Sequence, residues 1–410
     1  MRWIVSQVGC RQHYAVPVAL HRRNMLARLY TDCWAPGYLS IVRKLPRPFG
    51  DFANRFHSEL ASGPVTAFNY NFLSRRLCNL IRMLDLSTIA KLYDEYLNYG
   101  GLFDRLVVEE LRKGGGRAVD GLFAFSTTCL ETLRFCKESG IYTVVDQIDA
   151  AGVDEDIVAE ENRSWPGWEP SHTPIPNSYW ERLSAEWATA DSVLVNSKFS
   201  RDALVKQGVA LSKILVSPLS FDTSSVVCRR VGDSSRSLRV LWLGNVSLRK
   251  GIQYLREAAE LLRAVPIEFV VAGPVGIAAD KVSSFPSNVR FVGKVSGQLK
   301  SEQYAWADVF VLPTLSDGFA LTQLEAMSHG VPVIATANCG EVVSDGVDGF
   351  TIPIRSGRAL ADKLRLLESD RAMLEFMASN AIMKASSFEA DRTLAELERN
   401  LQIHRLRARS

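Results

Sequence analysis

Short β-branched runs alternate with amphipathic stretches of about ten residues twice along this chain, and a polar, serine-rich segment separates the two rounds. The first round opens with a strand over Trp3–Val8 and a helix in AVPVALHRRNML. It continues with the strand GLFAFSTT, the helix LETLRFCKESG closed by Gly140, and the strand IYTVVDQ. A helix over Tyr179–Ala190, the strand SVLVNS, the helix SRDALVKQG and the strand KILVSP complete it. After FDTSSVVCRRVGDSSR (221–236) the pattern restarts with LRVLWLG, GIQYLREAAELLRA, IEFVVAG and NVRFVG, then strands at 308–312 and 331–336. Strands alternating with helices of this length form a parallel sheet covered on both faces. The expected fold class is α/β, with two doubly wound Rossmann-like domains facing across a cleft. The expected boundaries are 1–220 and 221–387, with a C-terminal helix over 388–410 packing back on the first domain. Residues 36–100 are less regular. Residues 149–178, polar and rich in Pro and Trp, suit a long functional loop with some helix.

Composition removes several classes of function. Among 410 residues, 47% are hydrophobic and 23% charged, as in ordinary soluble domains. A net charge of +3 gives no case for nucleic acid. The seven cysteines, at 10, 33, 78, 129, 136, 228 and 339, have no CxxC and no regular spacing, so reduced thiols in a cytoplasmic protein are expected. The first residues read as a strand and loop rather than a signal peptide, and no run approaches 18 apolar residues. No GxSxG follows a strand, which disfavours a serine hydrolase.

In such sheets ligands sit outside the C-terminal ends of the strands. LRVLWLG ends at Gly244, where a ligand can approach the backbone, and Arg249 and Lys250 follow. ADVFVLPTLS leads into DGFALTQLE, which puts Asp317 on a strand-to-helix loop and Glu325 inside a two-turn helix ended by Gly330. The helix start at Phe319–Thr322 offers free N–H groups and partial positive charge to a phosphate. With Lys250 it could neutralise a diphosphate without a metal. A carboxylate against phosphate would repel it, so Glu325 suits the vicinal hydroxyls of a ribose and Asp317 those of a hexose. Taken singly, each of these residues could equally be an ordinary surface charge or a turn-former.

WLGNVSLRKG, EFVVAGP, NVRFVGKVS and ADVFVLPTLSDGFALTQLEAMSHGVPVIATANCGEVVSDGVDGFTIP, in order over about 238–355, resemble the C-terminal domain of family 4 glycosyltransferases. ADSVLVNSKFSRDALVKQGVALSKILVSPLSFD resembles the segment leading into it. The resemblance implies a two-domain GT-B enzyme that transfers sugar from a nucleotide donor with retention, and needs neither metal nor cofactor. It assigns Gly244, Asn245, Arg249, Lys250, Val295, Gly318, Phe319, Ala320, Leu321, Thr322 and Glu325 to the donor nucleotide, and Lys250 and Asp317 to the reacting centre. Two positions depart from the family pattern. Asp317 stands for the first Glu of a Glu-x7-Glu signature, and Asn245 stands where Arg is common.

The acceptor, a glycan or a lipid-linked sugar, is expected on the first domain. No His follows a strand there in the usual place. His13 in GCRQHY and Asp146 at the end of a strand are the candidates, with Ser126, Thr127 and Gln147 nearby. Asp154, Glu155 and Asp156 read as a solvated helix start rather than a metal-binding DxD. Residues 41–84 hold seven Lys or Arg against two acids, interleaved with Phe49, Phe52, Phe56, Phe68, Tyr70 and Phe72. Peripheral contact with an anionic membrane, at the inner surface, and a solvated subdomain with an aromatic core both fit. A nucleotide-sugar epimerase and a non-catalytic nucleotide-sugar binder remain as rival activities.

Overall fold

The computed structural model describes residues 1–35, 55–72, 88–115, 118–221 and 236–388, with 395, 398–400, 402 and 403. Two sheets carry the fold. The first comprises β1 (Trp3–Gln7), β2 (Leu26–Thr31), β3 (Val65–Ala67), β4 (Gly121–Phe125), β5 (Tyr142–Gln147), β6 (Ser192–Val195) and β7 (Ile214–Val216), in the order β3-β2-β1-β4-β5-β6-β7. The second comprises β8 (Leu238–Leu243), β9 (Ile267–Ala272), β10 (Val289–Gly293), β11 (Val309–Leu312), β12 (Val333–Thr336) and β13 (Gly349–Ile352), in the order β10-β9-β8-β11-β12-β13. Every pairing between these strands is parallel.

Both faces of each sheet are covered, which is why the strands read as continuous apolar runs. Every residue of β1, β4 and β5 is buried. Along β8, Leu238, Val240 and Trp242 enter one core and Leu241 and Leu243 the opposite one, as the pleat requires. In each sheet the strand order reverses once, between β1 and β4 and between β8 and β11. A crevice opens at such a reversal, because the loops leave to opposite sides.

Four elements differ from the expectations. The helix in AVPVALHRRNML runs only from Ala15 to Arg22. Asn24 takes a left-handed φ of 57°, and the chain re-enters the sheet as β2 at Leu26. Residues expected to be irregular contain the helix Ile89–Glu110, which continues through Gly100. A Cβ there would lie 2.9 Å from the Thr127 carbonyl, so the glycine lets helix and loop approach rather than breaking the helix. β13 adds an edge strand beyond the expected elements. The stretch 149–178 is more ordered than a loop, with a helix over Gly152–Ser164 and the start of another over Asn177–Thr189.

This last stretch also crosses between the sheets. Trp168 belongs to the core of the second sheet and is 6% exposed. Its ring meets Phe285 at 6.2 Å, Trp165 meets Tyr254 at 6.0 Å, and the Ala278 amide donates to the Trp168 carbonyl. Burying a tryptophan contributes about 4–6 kcal/mol by area. The first half is therefore anchored in the second well before the serine-rich linker.

Most of the basic, aromatic stretch, including Arg43, Lys44, Arg47, Arg75, Arg76 and Arg82, lies outside the described residues. Within the described part, Arg55 pairs with buried Asp32, Phe72 is fully buried, and Phe68 packs edge-on against Phe103. Those side chains form a core. Among the described residues no helix is long and apolar enough to cross a membrane.

Candidate functional site

The loops after β8 and β11 meet at the reversal point of the second sheet. The Leu315 amide and the Thr314 hydroxyl both donate to the Arg249 carbonyl, at 2.9 and 3.2 Å, which ties the two loops together. From these loops Lys250 and Asp317 converge into an ion pair, with side chains 13% and 23% exposed. The pair sits at the mouth of the crevice, as the strand positions required. Arg249 is used differently. Its guanidinium donates to the Ser316 carbonyl at 2.7 Å and lies 3.6 Å from Asp154, on the helix contributed by the first half. Asp154 is therefore not part of a solvated helix face. Nor is Glu155, which accepts from the Ile175 amide and lies 3.5 Å from His172.

Asp317 is held by its own backbone. Its amide donates to the Asn338 carbonyl at 2.8 Å, and that of Ala320 donates to Cys339 at 3.0 Å. Phe319 and Ala320 are buried, Phe319 against Phe388, so their contribution to a ligand site is backbone only. Leu321 and Val295 are partly buried against the same core, and the first turn Leu321–Thr322 follows Ala320. Its amides have no intrahelical acceptor.

Glu325, one turn further along that helix, faces a second recess. A cavity of about 290 Å³ is lined there by Phe221, Lys300, Tyr304, Glu325 and His329, among others. Lys300 donates to one Glu325 oxygen and the Tyr304 hydroxyl to the other, both at 2.7 Å. Burial and the adjacent carboxylate push the Tyr304 phenol well up, so it stays a proton donor. Each Glu325 oxygen keeps a second lone pair for a neighbouring diol. Lys300 and Tyr304 were not singled out in the sequence. They lie on the helix Gln298–Trp306, where nothing distinguishes them from surface and core residues.

The first sheet contributes the opposite wall. A Cβ on Gly318 would collide with the Ile148 carbonyl and crowd the Asn196 amide, so the Asp317–Gly318 loop lies directly against the ends of β5 and β6. Two residues before Ile148, Asp146 is 2% exposed and accepts from Gln12 Nε2 at 3.0 Å. Burial pushes its carboxyl up to about 7, opposed by Arg11 and the Gln12 bond. Gln12, His13 and Tyr14, after β1, all hold left-handed φ values of 47°, 49° and 63°. Three consecutive non-glycine residues in that region store strain, which persists where the surroundings impose it. His13 is exposed on this turn. Thr127, after β4, is also left-handed at 72°, and its amide donates to buried Glu186, as does that of Cys129. Thus β1, β4 and β5 bring His13, Thr127 and Asp146 to one rim. Among the described residues no group of three or more His, Cys, Asp or Glu is placed to hold a metal ion.

Two Rossmann-like parallel sheets whose strand-end loops meet define the GT-B class of folds. The Anabaena protein HepE, solved with UDP and glucose, superposes over 98% of this chain and 99% of its own with a TM-score of 0.58 at 16% identity. Sucrose-phosphate synthase from Thermosynechococcus elongatus does so over 100% of both chains, with a TM-score of 0.60 at 15% identity. Residues 237–370 match the family described as glycosyl transferases group 1. Among curated proteins, D-inositol 3-phosphate glycosyltransferase of Paenarthrobacter aurescens is 30% identical over 227 residues, 50% of this chain and 56% of its own. The chain thus spans about half the length of that relative.

Proposed function

We propose that this chain is a retaining, metal-independent glycosyltransferase that moves a sugar from a nucleoside-diphosphate sugar to a glycan or lipid-linked acceptor. The observation that carries the proposal is the Lys250–Asp317 pair, set at the β8–β11 reversal beside the Glu325 recess and against the first sheet. A diphosphate carries more charge than one carboxylate and draws the Lys250 ammonium to itself. Asp317, released, accepts from a hexose hydroxyl, while Glu325 accepts from the ribose diol. Charge accumulates on the departing diphosphate, so a preorganised cation there lowers the barrier. In the retaining step the C1–phosphate oxygen bond breaks, the acceptor oxygen bonds C1 on the same face, and its proton passes to the leaving diphosphate. Asp146 and His13 stand on the acceptor side, Asp146 as the group that orients the incoming hydroxyl.

HepE is solved with UDP and with UDP-glucose, which supports a nucleotide sugar as donor. The basic excess over 41–84 supports a cytoplasmic protein resting on the inner membrane surface, where a lipid-linked acceptor for polysaccharide or glycolipid synthesis is found. The test is a panel of nucleotide sugars with and without acceptors, in excess EDTA, with the anomeric configuration of product read by NMR. Product of retained configuration supports the proposal. An epimerised donor formed without acceptor identifies an epimerase, and binding without product a nucleotide-sugar binder.

A further inference from the structure

Three acids of the helix Gly152–Ser164 and the turn after it reach across to the loop that carries Lys250. The Glu169 carboxylate accepts from the Leu248 amide at 2.6 Å. Asp154 lies 3.6 Å from the Arg249 guanidinium. Glu161, 1% exposed, accepts from Arg355 Nε at 2.6 Å, Gln253 Nε2 at 2.8 Å and the Tyr254 hydroxyl at 2.9 Å. The second Nε2 hydrogen of Gln253 goes to the Leu248 carbonyl at 3.0 Å, so Glu161 reaches the loop through one side chain. Both backbone polar groups of Leu248, two residues before Lys250, are thereby fixed by groups on or bonded to the first half.

We propose that Glu161 is a positioning residue for the diphosphate site, and that 152–170 moves as part of the donor-binding half rather than with the sheet it follows in sequence. The inference rests on the reading of the Lys250 loop as a diphosphate site. Three donors occupy most of the acceptor sites of this buried carboxylate, and what they tie together is Gln253, Tyr254 and Arg355. Arg355 adopts a left-handed φ of 60°, a strained geometry for a non-glycine residue that its bonds to Glu160 and Glu161 hold in place. The three acids meet the loop at Leu248, Arg249 and the first residues of its helix, and so fix where the Lys250 ammonium stands relative to Asp317.

The test measures affinity by calorimetry for whichever of UDP, GDP, ADP, CDP and dTDP most stabilises the wild type, and for the matching nucleoside. Glu161→Gln removes the charge, and Gln253→Met removes both Gln253 bonds, to Glu161 and to the Leu248 carbonyl, but leaves Glu161 charged and paired with Arg355 and Tyr254. In both variants diphosphate affinity is expected to fall about tenfold to a hundredfold, with nucleoside affinity held within about twofold, because a cation misplaced by about 1 Å loses that much. The donor KM rises in parallel, and the acceptor KM stays as it was. A lower melting temperature with unchanged diphosphate affinity, or equal losses for nucleoside and diphosphate, overturns the positioning role. If the wild type binds diphosphate no better than nucleoside, the diphosphate site itself falls and this inference with it.

Discussion

The Lys250 ammonium and the Asp317 carboxylate are paired across two loops that follow different strands of one sheet. The pair is mostly screened from water, and removal of either member leaves the other charge poorly compensated. In the proposed reaction the diphosphate breaks this pair, which makes each half separately testable.

Lys250→Ala should lower turnover about a hundred- to a thousandfold, roughly 3 to 4 kcal/mol, since one preorganised charge on the leaving group is lost. Activity of the wild type should persist in excess EDTA. Steady-state assays decide. Near-normal turnover in the variant, or EDTA inhibition reversed by manganese, contradicts the diphosphate clamp.

Glu325 and Asp317 are assigned to different parts of the donor. Glu325→Gln should weaken free nucleoside diphosphate and nucleotide sugar alike by about tenfold, the loss of one charge-assisted bond. Asp317→Asn should bind nucleoside diphosphate at least as tightly as the wild type, since no ion pair with Lys250 then has to be broken, and transfer far less. Calorimetry showing nucleotide loss in the Asp317 variant would move that residue off the hexose.

Asp146 gives the pH dependence. Burial lifts its carboxyl to about 7, against about 3.9 in an unfolded chain. Between those values the native chain holds a proton the unfolded chain has released. The stability this contributes is complete below about pH 4 and is lost as pH rises through about 7. Transfer that needs the carboxylate should climb over the same range, with an apparent pKa near 7. Asp146→Asn should flatten that limb and flatten the fall in stability, with nucleotide affinity kept. A limb near 7 that survives in the variant assigns it elsewhere, and buried Glu186, also lifted to about 7, is the next group to substitute.

The second domain was the more legible half. Its strands are buried on both faces, so LRVLWLG, IEFVVAG and ADVFVLP stand out as apolar runs; the loops after the first and third hold Lys250 and Asp317, and the helix that follows holds Glu325. In the first half, Gly100–Gly101 hid a helix because a close approach looks like a turn when only one partner is in view. The acids at 154, 161 and 169 were hidden for a related reason. Asp154 and Glu161 are seven residues apart and therefore share a helix face, which was the available signal. What that face meets, Arg249, Gln253 and Arg355, lies about 90 to 200 residues further on, beyond the reach of any local pattern.

The basic stretch makes the fourth expectation. Residues 41–84 carry seven cations and two acids, an excess of five in a chain whose net charge is +3. Each Lys or Arg near an anionic bilayer gains about 1 kcal/mol, and salt screens the gain. The protein should therefore co-sediment with phosphatidylserine-containing vesicles at low salt and release at high salt. Replacing Arg43, Lys44 and Arg47 with Glu should abolish binding and leave glycosylation of a soluble acceptor intact. Equal partitioning onto neutral and anionic vesicles, or none onto either, leaves the solvated subdomain with its aromatic core.

Trp165 and Trp168 stand on the first half's side of the linker and fill the second half's core. Cleavage in the serine-rich segment would therefore not yield two self-sufficient pieces. The piece ending before residue 221 would keep two indoles with no interior to enter, and the piece beginning after it would keep a socket open to water. Each carries what the other lacks, so the nicked halves should stay together as a non-covalent complex, and mixing separately made fragments should restore both at once.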